Sequence, residues 1–180
     1  KLERLASSCS HHIITVSNLN RQEMLQLGIA PTNKVVTIYS GINVQTYTKR
    51  VDRFRKCKDL DLDPNRPIVG YVARLSEQKA PLDFVEAASR VRAAQPAVQF
   101  VMVGDGPLRS QVEQATADLA NFHVLGHRDD VPELLSIFDV FALSSLWEGI
   151  GRALTEAILM ERPVAVTAVN GVPDIVKHGE

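Results

Sequence analysis

Seven short apolar runs, rich in β-branched residues, are spaced along the chain and alternate with segments of helical periodicity. This order is typical of parallel sheets in which a helix connects each strand to the next. Several runs are apolar at consecutive positions, as strands buried on both faces are. The pattern therefore predicts an α/β protein with a parallel sheet and flanking helices. The predicted strands are residues 12–16, 34–38, 67–72, 98–103, 122–125, 139–143 and 163–167.

Two of the segments between the strands carry apolar residues at helical spacing, three or four positions apart. Each set would form one stripe along a helix, and we expect both stripes to face the core. The first stripe is Leu82, Val85, Ala88 and Val91, and the second is Leu108, Val112, Ala115 and Leu119.

The first strand-helix-strand unit is bounded by helix-capping residues. Ser17 follows the first strand where a helix must begin, and Gly28 stands where that helix must end. From residue 40 to residue 66 the apolar pattern lapses and a charged run, residues 50–63, takes over. We interpret this stretch as a connection between two domains.

Composition excludes several classes of function. The 20 Lys and Arg residues and 21 Asp and Glu residues give a formal net charge of −1, so no basic field attracts nucleic acid. Two cysteines, Cys9 and Cys57, are too few for a disulfide framework, which favours a cytoplasmic setting. No apolar run approaches the roughly 18 to 20 residues that cross a bilayer.

A loop with two cations follows the strand at residues 67–72. Arg74 and Lys79 lie between this strand and a helix whose first turn contains Pro81. Ligands of parallel sheets bind at the carboxyl ends of strands, and helix N-termini favour anions. The two cations could therefore clamp a diphosphate. The alternative is that both are solvated loop charges.

Two further strand exits resemble ligand sites only in part. Gly104 and Gly106 begin a dinucleotide fingerprint, but Arg109 occupies the position of its third glycine. The sequence thus predicts a tight strand-to-helix turn that could border a ligand. Arg128, after the next strand, could also touch a ligand.

Two carboxylates flank a predicted helix start. Glu148 precedes the helix that begins near Gly151, and Glu156 lies about 1.5 turns inside it. The free N–H groups between them suit a phosphate flanked by sugar hydroxyls. The alternative for Glu156 is an exposed pair with Arg152 four residues away.

Metal sites are not favoured by the spacing of the candidate ligands. The acidic run at residues 59–63 lies in the predicted connection beside basic residues, which indicates a solvated turn. Asp130 precedes Val131-Pro132 and is interpreted as a helix N-cap. The histidines show neither HxH nor HExxH spacing.

Seven segments in this order resemble the retaining glycosyltransferases of the GT-B fold, family 4. Any one of them is a weak match, but together they cover nearly the whole chain, and most lie at a strand exit. The segments are IYSGIN (38–43), GYVARL (70–75) with Lys79, VGDGP (103–107), LGHRDDV (125–131), EGIGRALTEA (148–157), RPV (162–164) and GVPD (171–174).

The resemblance implies two Rossmann-like domains, of which the second holds a nucleotide-sugar donor. Residues 1–45 would be a remnant of the acceptor domain with the hinge, a short β-α-β unit, and residues 46–180 an incomplete donor domain. Arg74 and Lys79 would meet the diphosphate, Glu148 the donor sugar and Glu156 the ribose. Other donor contacts would come from Gly104, Arg128, Gly151, Arg152, Ala153 and Leu154.

The resemblance also implies sugar transfer without a metal or other cofactor. The acceptor would be a lipid-linked sugar, a glycan or a small molecule, and the parent would be cytoplasmic or peripheral to the inner face of the membrane. Departures from the family pattern include Ala73 and Ala80, where glycine is common, and Ile150, where Phe is frequent. We expect the chain alone to bind donor, to be inactive, and to risk self-association through exposed strand edges.

Two alternatives stay open. The chain could belong to a sugar-nucleotide epimerase of the same two-domain fold, or it could be a non-catalytic nucleotide-binding or interaction domain. The pairing of Glu148 and Glu156 with Arg74 and Lys79 suits transfer better than epimerisation.

Overall fold

Each of the seven predicted strands forms in the computed structural model, which describes residues 2–47 and 51–179. The chain divides into two compact units. The first unit comprises Lys1–Ile42, Trp147–Gly151 and Ala168–Glu180, and the second comprises Asn43–Leu146 and Arg152–Thr167.

The first unit contains a short parallel pair of strands. Its elements are α1 (Leu2–Cys9), β1 (Ile13–Thr15), α2 (Asn18–Gln26), β2 (Val35–Thr37) and 3-10 helices at Thr32–Lys34 and Val172–Asp174. The predicted cap of α2 is confirmed, because the Ser17 hydroxyl accepts from the Asn20 N–H at 3.1 Å. Gly28 follows the helix with a φ of +60°, a conformation that glycine adopts without steric cost.

The second unit is a five-stranded parallel sheet with flanking helices. The strand order is β5-β4-β3-β6-β7, so the chain leaves β3 toward one side of the sheet and returns later on the other. Its elements are α3 (Arg53–Asp59), β3 (Ile68–Val72), α4 (Pro81–Ala94), β4 (Gln99–Val103), α5 (Arg109–Thr116), β5 (Phe122–Gly126), α6 (Val131–Ile137), β6 (Val140–Leu143), α7 (Arg152–Leu159), β7 (Val164–Val166) and 3-10 helices at Val44–Tyr47 and Glu77–Lys79. The α/β prediction is confirmed.

Burial along β3 and β4 explains the apolar runs. All five residues of β4 are buried, and an aromatic cluster joins the sheet to α4. In this cluster the ring of Phe84 lies 5.0 Å from that of Tyr71 and 5.8 Å from that of Phe122. Gly70 is fixed by packing, because a Cβ there would lie 1.9 Å from the Phe138 ring.

The predicted helix stripes are only partly buried. On α4, Val85 and Ala88 are buried, but Val91 is 41% exposed. A step of three residues turns a helix by 300°, so repeated steps of three rotate away from the core. The buried positions of α4 instead follow steps of three and one. On α5, Val112 is buried and Ala115 is exposed. The buried residues of the two helices are Pro81, Phe84, Val85 and Ala88, and Val112 and Thr116.

The interpretation of residues 40–66 as a connection is wrong in part, because α3 forms within it and packs on α6. Cys57 is fully buried, and Arg53 donates to Asp139 from two nitrogens, at 3.2 and 2.8 Å. Short-range patterning missed this helix because only a few of its residues are apolar. Arg50, at the start of the charged run, lies outside the described residues. Among those described, no helix is both long and apolar enough to span a bilayer.

Candidate functional site

The strand order places a switch point at the carboxyl end of β3. Strand β3 pairs with β4 on one side and with β6 on the other, and all three run parallel. Crevices at such points are where ligands of open α/β sheets bind. The loops that follow β3, β4 and β6 are therefore the first place to look for a site.

The loop after β3 is bonded to the loop after β4. The Leu75 N–H donates to the Asp105 carbonyl at 2.9 Å, and the Leu108 N–H donates to the Leu75 carbonyl at 2.9 Å. This approach requires glycine, since a Cβ on Gly104 would lie 1.8 Å from the Ala73 oxygen and one on Gly106 2.5 Å from the Leu75 oxygen. The predicted tight turn is confirmed, and its glycines fix the backbone on both sides of Arg74.

The same loop is also bonded to the exit of β6. The Leu146 N–H donates to the Gln78 carbonyl at 2.8 Å, and the Ser144 hydroxyl donates to the Ala80 carbonyl at 2.7 Å. The buried Tyr71 hydroxyl donates to the Lys79 carbonyl at 2.8 Å. The backbone that carries Arg74 and Lys79 is thus held from three neighbouring strands.

Two cations are carried by this fixed loop. Arg74 is exposed, and no residue in the described part of the chain forms an ion pair or a side-chain hydrogen bond with it. Lys79 is half-buried at the end of the Glu77–Lys79 turn, directly before α4. Such a pair of positive charges at a switch point suits an anionic ligand.

Glu156 is a buried carboxylate on α7, only 7% exposed. Its Oε1 forms an ion pair with the Arg152 Nε at 3.2 Å, so the predicted pair exists, although the carboxylate itself is not at the surface. Tyr47 also donates a hydrogen bond to Glu156. Burial, followed by this hydrogen bond and the charge of Glu156, raises the pKa of Tyr47 to about 12. Sequence reasoning missed Tyr47, because it lies in the segment without apolar periodicity.

The N-terminus of α7 supplies backbone donors. The first N–H groups of a helix have no partner within it, and α7 starts at Arg152. Ala153 is half-buried and the Leu154 side chain is fully buried, so only their backbone N–H groups are suited to a ligand. The Arg152 side chain is 89% exposed.

Arg128 lies in a different environment at the exit of β5. Its Nε and Nη2 donate to the two oxygens of Asp130 at 2.8 and 2.7 Å. Lys56 of α3 also pairs with Asp130 and with Glu133. The hydrogen bond from Arg128 and the bond from Lys56 hold the pKa of Asp130 well below its usual range. Asp130 occupies the predicted N-cap position, but its side chain makes these pairs instead of capping α6.

Glu148 and Gly151 belong to the first unit. Glu148 is 6% exposed, and its N–H donates to the Asn170 Oδ1 at 3.1 Å. The chain packs closely here, because a Cβ on Gly171 would lie 1.8 Å from the Gly149 oxygen. Gly151 has a φ of +85°. The roles predicted for the site residues of both units stay predictions. For Arg128, the pairing with Asp130 favours a structural role over the predicted donor contact.

Possible metal ligands are scattered over the described part of the chain. No group of three or more His, Cys, Asp or Glu residues there is placed to hold a metal ion.

A protein-family model, glycosyl transferases group 1, matches residues 66–180, which is more than half of the chain. The chain belongs to this family. Among curated proteins, it is 32% identical over 98% of its length to the UDP-Gal:alpha-D-GlcNAc-diphosphoundecaprenol alpha-1,3-galactosyltransferase of Escherichia coli. It is also 37% identical over 66% of its length to the 2-deoxystreptamine N-acetyl-D-glucosaminyltransferase of Streptomyces fradiae.

Solved structures share the fold of this chain. HepE of Anabaena, crystallised in complex with UDP-glucose, is 24% identical and matches with a TM-score of 0.85 over 98% of this chain. This likeness confirms the predicted fold class, a Rossmann-like domain of GT-B type. The chain spans 48% of the length of the Escherichia coli relative and 51% of the HepE chain.

Proposed function

We propose that this group 1 glycosyltransferase chain is the donor-binding portion of a retaining, metal-independent enzyme of family 4. Its substrate would be a nucleotide-sugar, from which a hexose is moved to an acceptor. One observation carries the proposal most directly. Arg74 and Lys79 lie on a loop that is bonded to both neighbouring strand exits at the switch point of the sheet.

Transfer requires stabilisation of the departing diphosphate. As the sugar–oxygen bond breaks, negative charge develops on the nucleoside diphosphate, and Arg74 and Lys79 are the groups that we assign to it. Fixed cations stabilise such charge at little reorganisation cost and take the role of a metal ion. In a retaining reaction the acceptor oxygen attacks from the face that the diphosphate leaves, and it gives up its proton to the departing phosphate oxygen.

The other assignments give each part of the donor to a different group of the protein. The buried carboxylate of Glu156 would accept hydrogen bonds from the ribose hydroxyls, and the first N–H groups of α7 would donate to the distal phosphate. For Glu148, we assign contact with the donor sugar on the family pattern alone. HepE was crystallised with UDP-glucose, and the Escherichia coli relative is named for UDP-galactose, which makes uridine the first base to test.

Calorimetric titration with UDP, GDP, ADP and TDP, each also as a glucose derivative, tests the proposal. We expect one nucleoside diphosphate to bind, and Arg74→Ala to weaken it. Arg90→Ala is the matched control, since Arg90 is an exposed cation of the same unit that pairs with Glu86 on α4. If none of these ligands binds, the proposal of donor binding is refuted.

The epimerase and the non-catalytic domain make different predictions. Both curated relatives reported above are named transferases, so epimerisation is not favoured. Product analysis by mass spectrometry distinguishes the three: a transferase parent attaches the sugar to an acceptor, an epimerase changes the nucleotide-sugar itself, and a binding domain yields no product.

We further propose that the chain alone transfers no sugar. Catalysis requires the acceptor oxygen within about 3 to 3.5 Å of the sugar carbon and a site closed to water. The chain spans about half of the length of these relatives, and we assign acceptor binding to the other half. Turnover by this chain within tenfold of a full-length parent would contradict the assignment.

We also propose that the isolated chain self-associates and that the parent is cytoplasmic or peripheral to the inner face of the membrane. Exposed apolar residues on the short β1–β2 sheet and directly after it support self-association: Ile14 is 61%, Val36 45% and Ile38 54% exposed. Light scattering after size exclusion tests it. A monomer at all concentrations, in both the wild type and the Ile14→Lys variant, would contradict it.

A further inference from the structure

The turn that precedes α4 contains a residue in an unfavourable backbone conformation. Ala80 has a φ of +44° and a ψ of +55°, in the left-handed region that residues with a Cβ rarely adopt. Ala80 is 8% exposed and directly follows Lys79. We therefore expect contacts from outside the turn to stabilise this conformation.

Two hydroxyl groups converge on the carbonyls of this turn. The Tyr71 hydroxyl donates to the Lys79 carbonyl at 2.8 Å. The Ser144 hydroxyl lies 2.7 Å from the Ala80 carbonyl and 3.2 Å from that of Lys79. Tyr71 is on β3 and Ser144 follows β6, so the two hydroxyls come from adjacent strands at the switch point.

The Tyr71 donor is held firmly, and Ser144 is half-buried. Tyr71 is fully buried, and its ring packs against Phe84 of α4. The N–H groups of the turn are bonded as well, since Lys79 and Ala80 both donate to the Ser76 carbonyl, at 3.0 and 3.1 Å. The hydroxyls therefore complete a turn whose amide side is already satisfied.

We propose that Tyr71 and Ser144 are positioning residues that act through the backbone of Lys79. Their hydroxyl groups offset the strain at Ala80 and fix the point from which the Lys79 side chain extends. The inference deepens the proposed function, because the phosphate contact of Lys79 rests on it. Neither hydroxyl is assigned a contact with the donor.

Amide hydrogen exchange tests the inference without any ligand. Tyr71→Phe keeps the ring and Ser144→Ala keeps the Cβ, so each variant removes one hydroxyl. We expect exchange at Lys79 and Ala80 to rise by about threefold to tenfold in each variant, the range of one net hydrogen bond. Adding Ala80→Gly, which relieves the left-handed strain, should restore part of the protection.

Ser136→Ala is the matched control, since the Ser136 hydroxyl donates to the Glu133 carbonyl at 2.6 Å elsewhere in the second unit. This variant should leave exchange at residues 79 and 80 unchanged. Unchanged exchange in both Tyr71→Phe and Ser144→Ala would overturn the inference, and so would an equal rise in the control.

Calorimetry with UDP and uridine tests the action on Lys79. Tyr71→Phe and Ser144→Ala should weaken UDP by about threefold to tenfold and leave uridine within twofold. In a Lys79→Ala background the same changes should no longer affect UDP, because a group that acts through Lys79 has no further effect once it is gone.

Equal losses for UDP and uridine, or undiminished losses in the Lys79→Ala background, would overturn the action through Lys79. If the wild-type chain binds none of the four nucleoside diphosphates, the proposed function fails, and hydrogen exchange still decides whether the hydroxyls hold the turn.

Discussion

The exits of β3 and β5 both carry an arginine at the same edge of the sheet, yet the two side chains differ in exposure and in ion pairing. Arg74 is exposed, and within the described residues no carboxylate pairs with it. Arg128 forms a bidentate ion pair with Asp130, which also forms an ion pair with Lys56 of α3. One cation is available to a ligand, and the other is compensated by its neighbours.

The difference teaches how to interpret basic residues at strand exits. A charge that is paired within the protein contributes to the native state, because breaking the pair leaves a partly buried carboxylate uncompensated. An exposed, unpaired charge contributes little to stability and retains its field for a ligand. The first arginine should therefore affect binding, and the second should affect mainly folding.

The largest expected effect falls on binding at the β3 exit. Arg74→Ala and Lys79→Ala should each weaken the nucleoside diphosphate by about 1.5 to 3 kcal/mol, the range of a charge-assisted hydrogen bond, without unfolding the chain. Arg128→Ala should change affinity by less than about 0.5 kcal/mol and lower the thermal midpoint instead. Calorimetry with thermal unfolding measures both. A loss of affinity in Arg128→Ala as large as in Arg74→Ala would break the comparison.

A second effect is on stability at the β5 exit. Asp130→Asn should lower the free energy of unfolding by about 2 kcal/mol at pH 7, since it removes charged bonds to Arg128 and Lys56. The pKa of Asp130 is depressed in the folded chain, so its contribution is fully present at neutral pH. The contribution begins to decline below about pH 4, the unfolded value, and is lost only as the pH falls through the depressed folded pKa.

Urea unfolding at pH 7 and pH 3 measures this contribution. The wild type and Asp130→Asn should differ at pH 7, and the difference should be smaller at pH 3, where the unfolded chain has begun to bind a proton at residue 130. Asp59→Asn, in the exposed last turn of α3, serves as the control and should match the wild type at both values. If the wild type and Asp130→Asn differ by the same free energy of unfolding at pH 7 and at pH 3, the charge of Asp130 does not stabilise the fold.

A third effect concerns the two carboxylates. Glu156→Gln should weaken nucleoside and nucleotide alike by about 1 kcal/mol, because ribose is common to both. Glu148→Gln should weaken only ligands that carry the donor sugar. Calorimetry with uridine, UDP and UDP-glucose distinguishes them, and equal losses for both variants on every ligand would remove the proposed division.

Absorbance titration should also show the pKa of Tyr47, about 12 in the wild type, falling in Glu156→Gln.

The smallest expected effect is a gain at the β3 exit. Ala80→Gly should raise the free energy of unfolding by about 0.5 to 1 kcal/mol, because glycine adopts the left-handed conformation of residue 80 without the clash of a Cβ. Ala153→Gly, inside α7, is the opposite control and should lose about 1 kcal/mol. Chemical denaturation measures both, and a loss in Ala80→Gly would show that the turn is not strained.

Much of this fold follows from the order of residues along the chain. The apolar runs predicted all seven strands, and Ser17 predicted the start of α2. The family motifs likewise identified a group 1 glycosyltransferase, which the family model confirms. These features depend on residues close together in sequence, and local patterns record such dependence directly.

Other features depended on partners that lie far away in the sequence. Lys56 is 74 residues from Asp130, so neither the burial of α3 on α6 nor the compensation of Arg128 is visible in a local window. Tyr47 approaches Glu156 in the same way, across more than half of the chain. For that reason α3 was interpreted as a connection and Tyr47 was not recognised.

The sequence by itself determined which side chains could carry chemistry and placed most of them at strand exits, because strand, loop and helix are set by neighbouring residues. Only the tertiary structure decided which charges are paired and which are exposed. Arg74 and Arg128 stand in similar sequence contexts, and their difference arises from Asp130, Lys56 and the packing of α3. The energy of a charge depends on everything within a few ångströms of it, and the fold alone brings those groups together.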